Sequence, residues 1–121
     1  MNDINSVADV ELLVRKFYAS VLQNEKLKPH FANINMENHF PVMISFWSNL
    51  VFADGSYKGN AFEKHLRLKL SADDFAEWLK LFHQTIDELF IGEKATLALQ
   101  RADSIAWIFE SKLKQTGLLL P

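Results

Sequence analysis

YKGNAFEKHLRLKLSADDFAEWLKLF, residues 57–82, is the stretch whose reading decides the fold. It holds a turn, a short amphipathic run with His65 at its centre, a capped restart, and a helix opening with Phe75, Trp78, Leu79 and Phe82. Ser71 with Asp74 three residues on is a capping-box pattern, predicting a helix from 72 to about 90 that Gly92 closes. His65 stands beside Leu66 and three residues after Phe62, on or next to an apolar face of a short helix over about 61–68. Taken alone, such a histidine is most often a hydrogen-bonded core or surface residue.

Working towards the N-terminus, ADGSYKGN (53–60) reads as a loop punctuated by Gly55 and Gly59. Before it, Phe40, Met43, Ile44, Trp47, Leu50 and Val51 form the apolar face of a helix over 36–52. His39 lies on the same side, four residues before Met43, and Pro41 is accommodated in the first turn. Residues 25–36 form a connector stiffened by Pro29, with Phe31 as its one bulky anchor. The first helix starts from Ser6 and Asp9, a second capping-box pattern, and ends near Asn24. Its stripe is Val10, Leu13, Val14, Phe17, Tyr18, Val21 and Leu22.

Towards the C-terminus, Leu97, Ala98, Ala102, Ile105, Ala106, Phe109 and Leu113 predict a helix over 93–115, ended by Gly117. Ala98, Ala102 and Ala106 are four apart, a ridge of small residues that lets another backbone come close. No segment shows sustained period-two alternation between hairpin turns, and there is no repeat or low-complexity tract. Residues 1–121 read as a single all-α domain with four longer helices and at least one short one.

Composition narrows the chemistry. Net charge is −2 with lysines and arginines scattered, which argues against nucleic acid or an anionic membrane surface as partner. The absence of cysteine removes disulfides, thiolate metal sites, iron–sulfur clusters and thiol nucleophiles, and fits a reducing cytoplasm. The polar, acidic N-terminus carries no secretory signal, and the longest apolar run, 40–47, is too short to span a bilayer. Fifteen aromatic residues, ten of them phenylalanine, either fill an ordinary core or line a pocket for a flat apolar ligand.

Motif chemistry is mostly excluded. His30, His39, His65 and His83 have neither a second histidine at i+4 nor a glutamate three residues before, so zincin and di-iron helix motifs are absent. There is no glycine-rich phosphate loop and no G-x-S-x-G elbow. What remains are polar residues on apolar stripes: Tyr18, His39, His65 and Trp78. Individually, core packing explains Trp78, a satisfied buried hydroxyl explains Tyr18, and a surface or capping role explains His39. Together they offer one imidazole ligand and several donors around an aromatic space, which is what a haem iron requires of a protein.

Four anchors carry a resemblance to the group III truncated haemoglobins, a bacterial family, over nearly the whole chain. They are KFYASVLQNEKLKPHFAN (16–33), NMENHFPVMISFWSNLVF (35–52), YKGNAFEKHLRLKLS (57–71) and DFAEWLKLF (74–82). The resemblance implies a globin-like, truncated two-over-two helical sandwich. It implies haem b (iron protoporphyrin IX) with His65 as proximal iron ligand and Leu66 beside it, Tyr18 as main distal donor and Trp78 as a second. His39 becomes the distal-helix histidine, Phe31 wedges the haem, and Met43 and Trp47 line the distal helix. Two positions depart from the family pattern: Met36 replaces an aromatic residue, and Pro41 follows His39 by two.

The implied function is a cytoplasmic, monomeric haem protein binding O2, NO or CO, or anions in the ferric state. Two distal donors suit ligand chemistry, such as NO dioxygenation or peroxide handling with a reductase as partner, more than O2 transport. The alternatives are a haem-free helical interaction module, and a haem protein with His39 as second axial ligand serving as sensor or electron carrier. His83, one residue beyond Phe82, faces solvent in every version.

Overall fold

The computed structural model describes residues 1–59 and 69–120. Four α-helices and one 3-10 turn make up the regular structure among them: α1 Val7–Gln23, the 3-10 turn Lys28–Phe31, α2 Met36–Phe52, α3 Ala72–Leu89 and α4 Glu93–Gln115. The helix predicted over 61–68, with Phe62, His65 and Leu66, lies outside the described residues. Helix α1 packs on α2 and α3, and α4 packs on α3 and α2, the two-over-two arrangement. The only β-pairing among the described residues is two isolated bridges, Asn2 to Phe90 and Ser71 to Leu120.

Helix ends follow the sequence closely, with three corrections. Ser6 accepts from the Asp9 N–H as expected, but the Asp9 carboxylate reaches back one residue further, to the N–H of Asn5. Asn35 caps α2, so Pro41 sits in the second turn rather than the first. There its missing N–H leaves the Glu37 carbonyl without its helical partner. Gly92 does not close α3: Phe90 is the C-cap, and Gly92, at φ +143°, is the N-cap of α4. Ser71 and Asp74 form the predicted reciprocal capping box. Gly117, at φ +76°, ends α4 in a Schellman motif, with Leu118 N–H on Leu113 O at 2.8 Å and Gly117 N–H on Lys114 O at 3.3 Å.

The reason for a glycine at 92 lies ninety residues away. The Asp3 carboxylate accepts from the N–H groups of Lys94 and Ala95, both at 2.9 Å, and a Cβ on residue 92 would come within 2.4 Å of the Asp3 side chain. Asp3 thus supplies the cap that α4 lacks locally.

The core is mainly α1 against the other helices. Val10, Leu13, Val14, Phe17 and Val21 are buried, whereas Leu22, placed on the same stripe by spacing, is 37% exposed. Phe82 is the keystone: it stacks on Trp47 at 4.7 Å and on Trp78 at 5.7 Å, and meets Phe17 edge-on at 5.1 Å. The alanine ridge of α4 behaves as predicted, with Ala98, Ala102 and Ala106 all buried.

Candidate functional site: an aromatic pocket with a Tyr–Trp pair on its wall

A pocket of about 170 Å³ opens between the helix pairs. Tyr18 from α1, Phe31 from the 3-10 turn, His39, Met43 and Trp47 from α2, and Trp78 from α3 all border it. Every site residue expected from sequence that falls among the described residues therefore reaches one space. His65 and Leu66 lie outside those residues. Tyr57 and Leu70, which flank the stretch 60–68 in sequence, both border the pocket.

The remaining wall was not singled out in the sequence: Phe46 and Ile34 on one side, and Phe75, Ile105 and Phe109 on the other. The last three come from α3 and α4, where their helical spacing reads equally as core. Two exposed residues, His39 and Val42, mark the solvent side of the pocket.

Tyr18 is 6% exposed, and burial pushes its hydroxyl up to about 12. A side-chain hydrogen bond with Trp78 acts in the opposite direction. An indole nitrogen only donates, so Tyr18 Oη is the acceptor in this pair. Phe31 meets the Tyr18 ring edge-on at 5.9 Å, and Phe17 meets it at 4.8 Å, so the phenol is fixed from both sides.

Among the described residues, one carboxylate borders the pocket. The Asp74 carboxylate holds the Ser71 N–H at 2.9 Å as part of the capping box and lies 3.1 Å from His30 Nε2. His30 thereby links the 3-10 turn carrying Phe31 to the start of the helix carrying Trp78. Spacing did not mark this pairing, because the partners are forty-four residues apart.

At the far end of α2, Ser48 is buried and its hydroxyl donates to Asp54. Asp54 also receives the Ser56 N–H and hydroxyl, and these hydrogen bonds from Ser48 and Ser56 hold it below the usual carboxylate range. The 53–59 loop is thus tied to α2, and Tyr57 packs edge-on against Phe46 at 5.2 Å. His83 is not part of the pocket: its side chain is 41% exposed and pairs with Asp103 of α4 at 2.9 Å.

The lining suits an apolar group that carries a polar substituent. Aromatic and aliphatic side chains form most of the wall, two coupled polar groups stand on it, and the acid present is already engaged. Among the described residues no three His, Cys, Asp or Glu side chains gather around a bare metal ion. Nor is any described helix long and apolar enough to cross a membrane.

No protein-family model matches the chain. It is 31% identical over 112 residues to the group 3 truncated haemoglobin ctb of Campylobacter jejuni, across 87% of this chain and 88% of that protein. Among solved structures, the crystal structure of the group III truncated haemoglobin from Campylobacter jejuni matches with a TM-score of 0.84 and 28% identity. That match covers 93% of this chain and 95% of the other.

Proposed function

The chain belongs to the group III truncated haemoglobins, and from that premise we propose a single-domain haem protein that binds a diatomic gas with His65 as axial ligand to the iron. The carrying observation is the convergence of Tyr18 and Trp78, whose side chains interact, on a mainly apolar pocket bordered by both flanks of the 60–68 stretch. The group is haem b, held without covalent attachment, since a chain with no cysteine has no thiol to form thioether links.

In this reading Phe31, Met43 and Trp47 supply contact area for the macrocycle, with Leu66 beside the axial histidine. Neutral His65 would offer one ring nitrogen to the metal. When bound, haem would supply a site for O2, NO or CO. Tyr18 then acts as the direct donor. Its oxygen already accepts from Trp78, so its own hydroxyl hydrogen is left for the ligand, and the received bond makes that hydrogen a stronger donor. A bond of this kind to a charged acceptor contributes roughly 1.5–3 kcal/mol, enough to slow ligand loss about tenfold or more.

Tight retention favours chemistry on the bound ligand, NO or peroxide detoxification, over delivery. Such turnover draws on an external electron donor, a reductase acting in trans. His39, exposed beside the pocket, fits a gate better than a second axial ligand.

The test is the Soret band of the purified protein. Wild type, His39→Ala and His83→Ala retain it, and His65→Ala loses it. A Soret band unchanged in His65→Ala would overturn the assignment of the axial ligand, and a wild-type protein that takes up no haem would overturn the function.

A further inference from the structure

Beyond the end of α4 the chain does not leave the fold. Gly117 turns it back, and the Leu119 N–H returns to Leu113 O at 3.1 Å. The Leu120 N–H then donates to Leu70 O at 3.0 Å, beside the parallel bridge between Ser71 and Leu120. Leu119 packs against a small apolar cluster built on Phe75, Ala106 and Leu113, with Leu70 and Phe109 against it and with Trp78 and Leu79 joining it to the main core. Leu70, Phe75, Ala106 and Phe109 also border the pocket. The returning tail therefore packs on residues that form one face of the pocket. The same backbone carries a strained turn at Lys69, whose φ of +49° is unusual for a side chain of this kind.

We propose that residues 118–120 are a positioning strap: Leu119 and the Leu120 N–H hold Leu70 and Phe75 in place against the haem, and so set how long haem stays bound. This rests on the pocket being a haem pocket. The strap acts on the wall formed by α3, α4 and Leu70, whereas Tyr18 and Trp78 act on the gas. Leu119 and Trp78 pack on the same small cluster, so the Leu120 N–H, which bonds Leu70 O, is the contact that separates haem retention from gas retention.

The experiment measures haem transfer from the loaded protein to an excess of a haem-scavenging apoglobin, by absorbance, alongside the O2 dissociation rate and the thermal midpoint of the haem-free chain. Leu120→Pro removes the N–H and Leu120→Ala keeps it, and the side chain itself is 41% exposed. Leu120→Pro is expected to lose haem about three- to tenfold faster than wild type, the range of one net backbone hydrogen bond. Leu120→Ala stays at the wild-type rate. Leu119→Ala, which leaves the backbone pairing intact, also accelerates haem loss and carries the test if the proline variant does not fold. O2 dissociation stays within about twofold of wild type in Leu120→Pro, whose lost N–H bonds Leu70 and not Trp78, and the haem-free midpoint falls by no more than the loss of one hydrogen bond explains. Haem loss at the wild-type rate in Leu119→Ala or in a folded Leu120→Pro overturns the strap, as does an O2 dissociation rate in Leu120→Pro that rises in step with haem loss, which marks general loosening of the pocket. Absence of haem uptake by wild type overturns the haem reading itself, and the strap falls with it.

Discussion

Trp78 and Tyr18 border the same pocket, and a hydrogen bond between their side chains opposes the burial that raises the Tyr18 hydroxyl; in the proposed reading the two therefore act in series rather than side by side. Trp78 then influences a bound ligand through Tyr18. Tyr18→Phe should raise the O2 dissociation rate about tenfold or more, and Trp78→Phe should raise it less. Stopped-flow ligand displacement on the two single variants and the double variant decides the matter. In the Tyr18→Phe background the Trp78 change should add less than about twofold; full additivity would mean two independent donors.

Tyr18 also predicts an alkaline limit. Burial raises its folded-state value to about 12 from the ordinary 10.0. Below pH 10 the hydroxyl is neutral in both folded and unfolded chains, and its contribution is fully present. Between those two values the unfolded chain ionises and the folded one does not, so stability falls as pH rises, by on the order of 2–3 kcal/mol in all. Urea unfolding of Tyr18→Phe against wild type from pH 8 to 12 checks this. The variant should lack that portion of the decline.

Asp3 predicts the opposite limit. Burial pushes its carboxyl up, but the N–H groups of Lys94, Ala95 and Ile4 together outweigh it, and the folded-state value is lowered. Its contribution is therefore present above the ordinary value of 3.8 and disappears as pH falls through the depressed one. Asp3→Ala should lose about 1 kcal/mol at neutral pH, the worth of a helix N-cap, and the gap to wild type should close in acid. A gap independent of pH would show that the carboxylate charge is not what matters.

Gly92→Ala should be costlier. The new Cβ both meets the Asp3 carboxylate and occupies a backbone conformation at φ +143° that side chains avoid. A loss of about 2–4 kcal/mol is expected from the strain and the displaced cap together. Chemical denaturation reads it, and a loss under about 0.5 kcal/mol would mean that the N-terminal segment is not a working cap.

His83→Ala serves as the histidine that should not matter. Its partner Asp103 is 56% exposed, and such surface pairs contribute little. Stability should change by less than about 1 kcal/mol and the visible spectrum not at all. A shifted spectrum would bring that face of α3 into the chemistry.

What could be read from sequence was whatever repeats within one helix. The stripe through Val10 to Val21, the Ser71–Asp74 box and the Gly117 stop depend on neighbours three to five residues away, and they survive in the structure. Tyr18, Phe31, His39, Met43, Trp47 and Trp78 all border one pocket. Gly92 was misread as a helix stop because its reason, Asp3, is distant in the chain. Asp74 looked like a cap alone, and only tertiary contact reveals that it also meets His30. Leu22 followed the period but fell at the helix end, where nothing covers it.

Phe82 is wedged between the two indoles, Trp47 and Trp78, that also border the pocket. Interior and ligand chamber are thereby made from the same rings, and neither can drift without dragging the other. Heritable change in gas preference is accordingly channelled to positions such as Ile34 and Val42, which border the chamber but carry no part of that stack. An engineer seeking a new specificity should begin there, because those two side chains can be exchanged with the least disturbance to the ring stack.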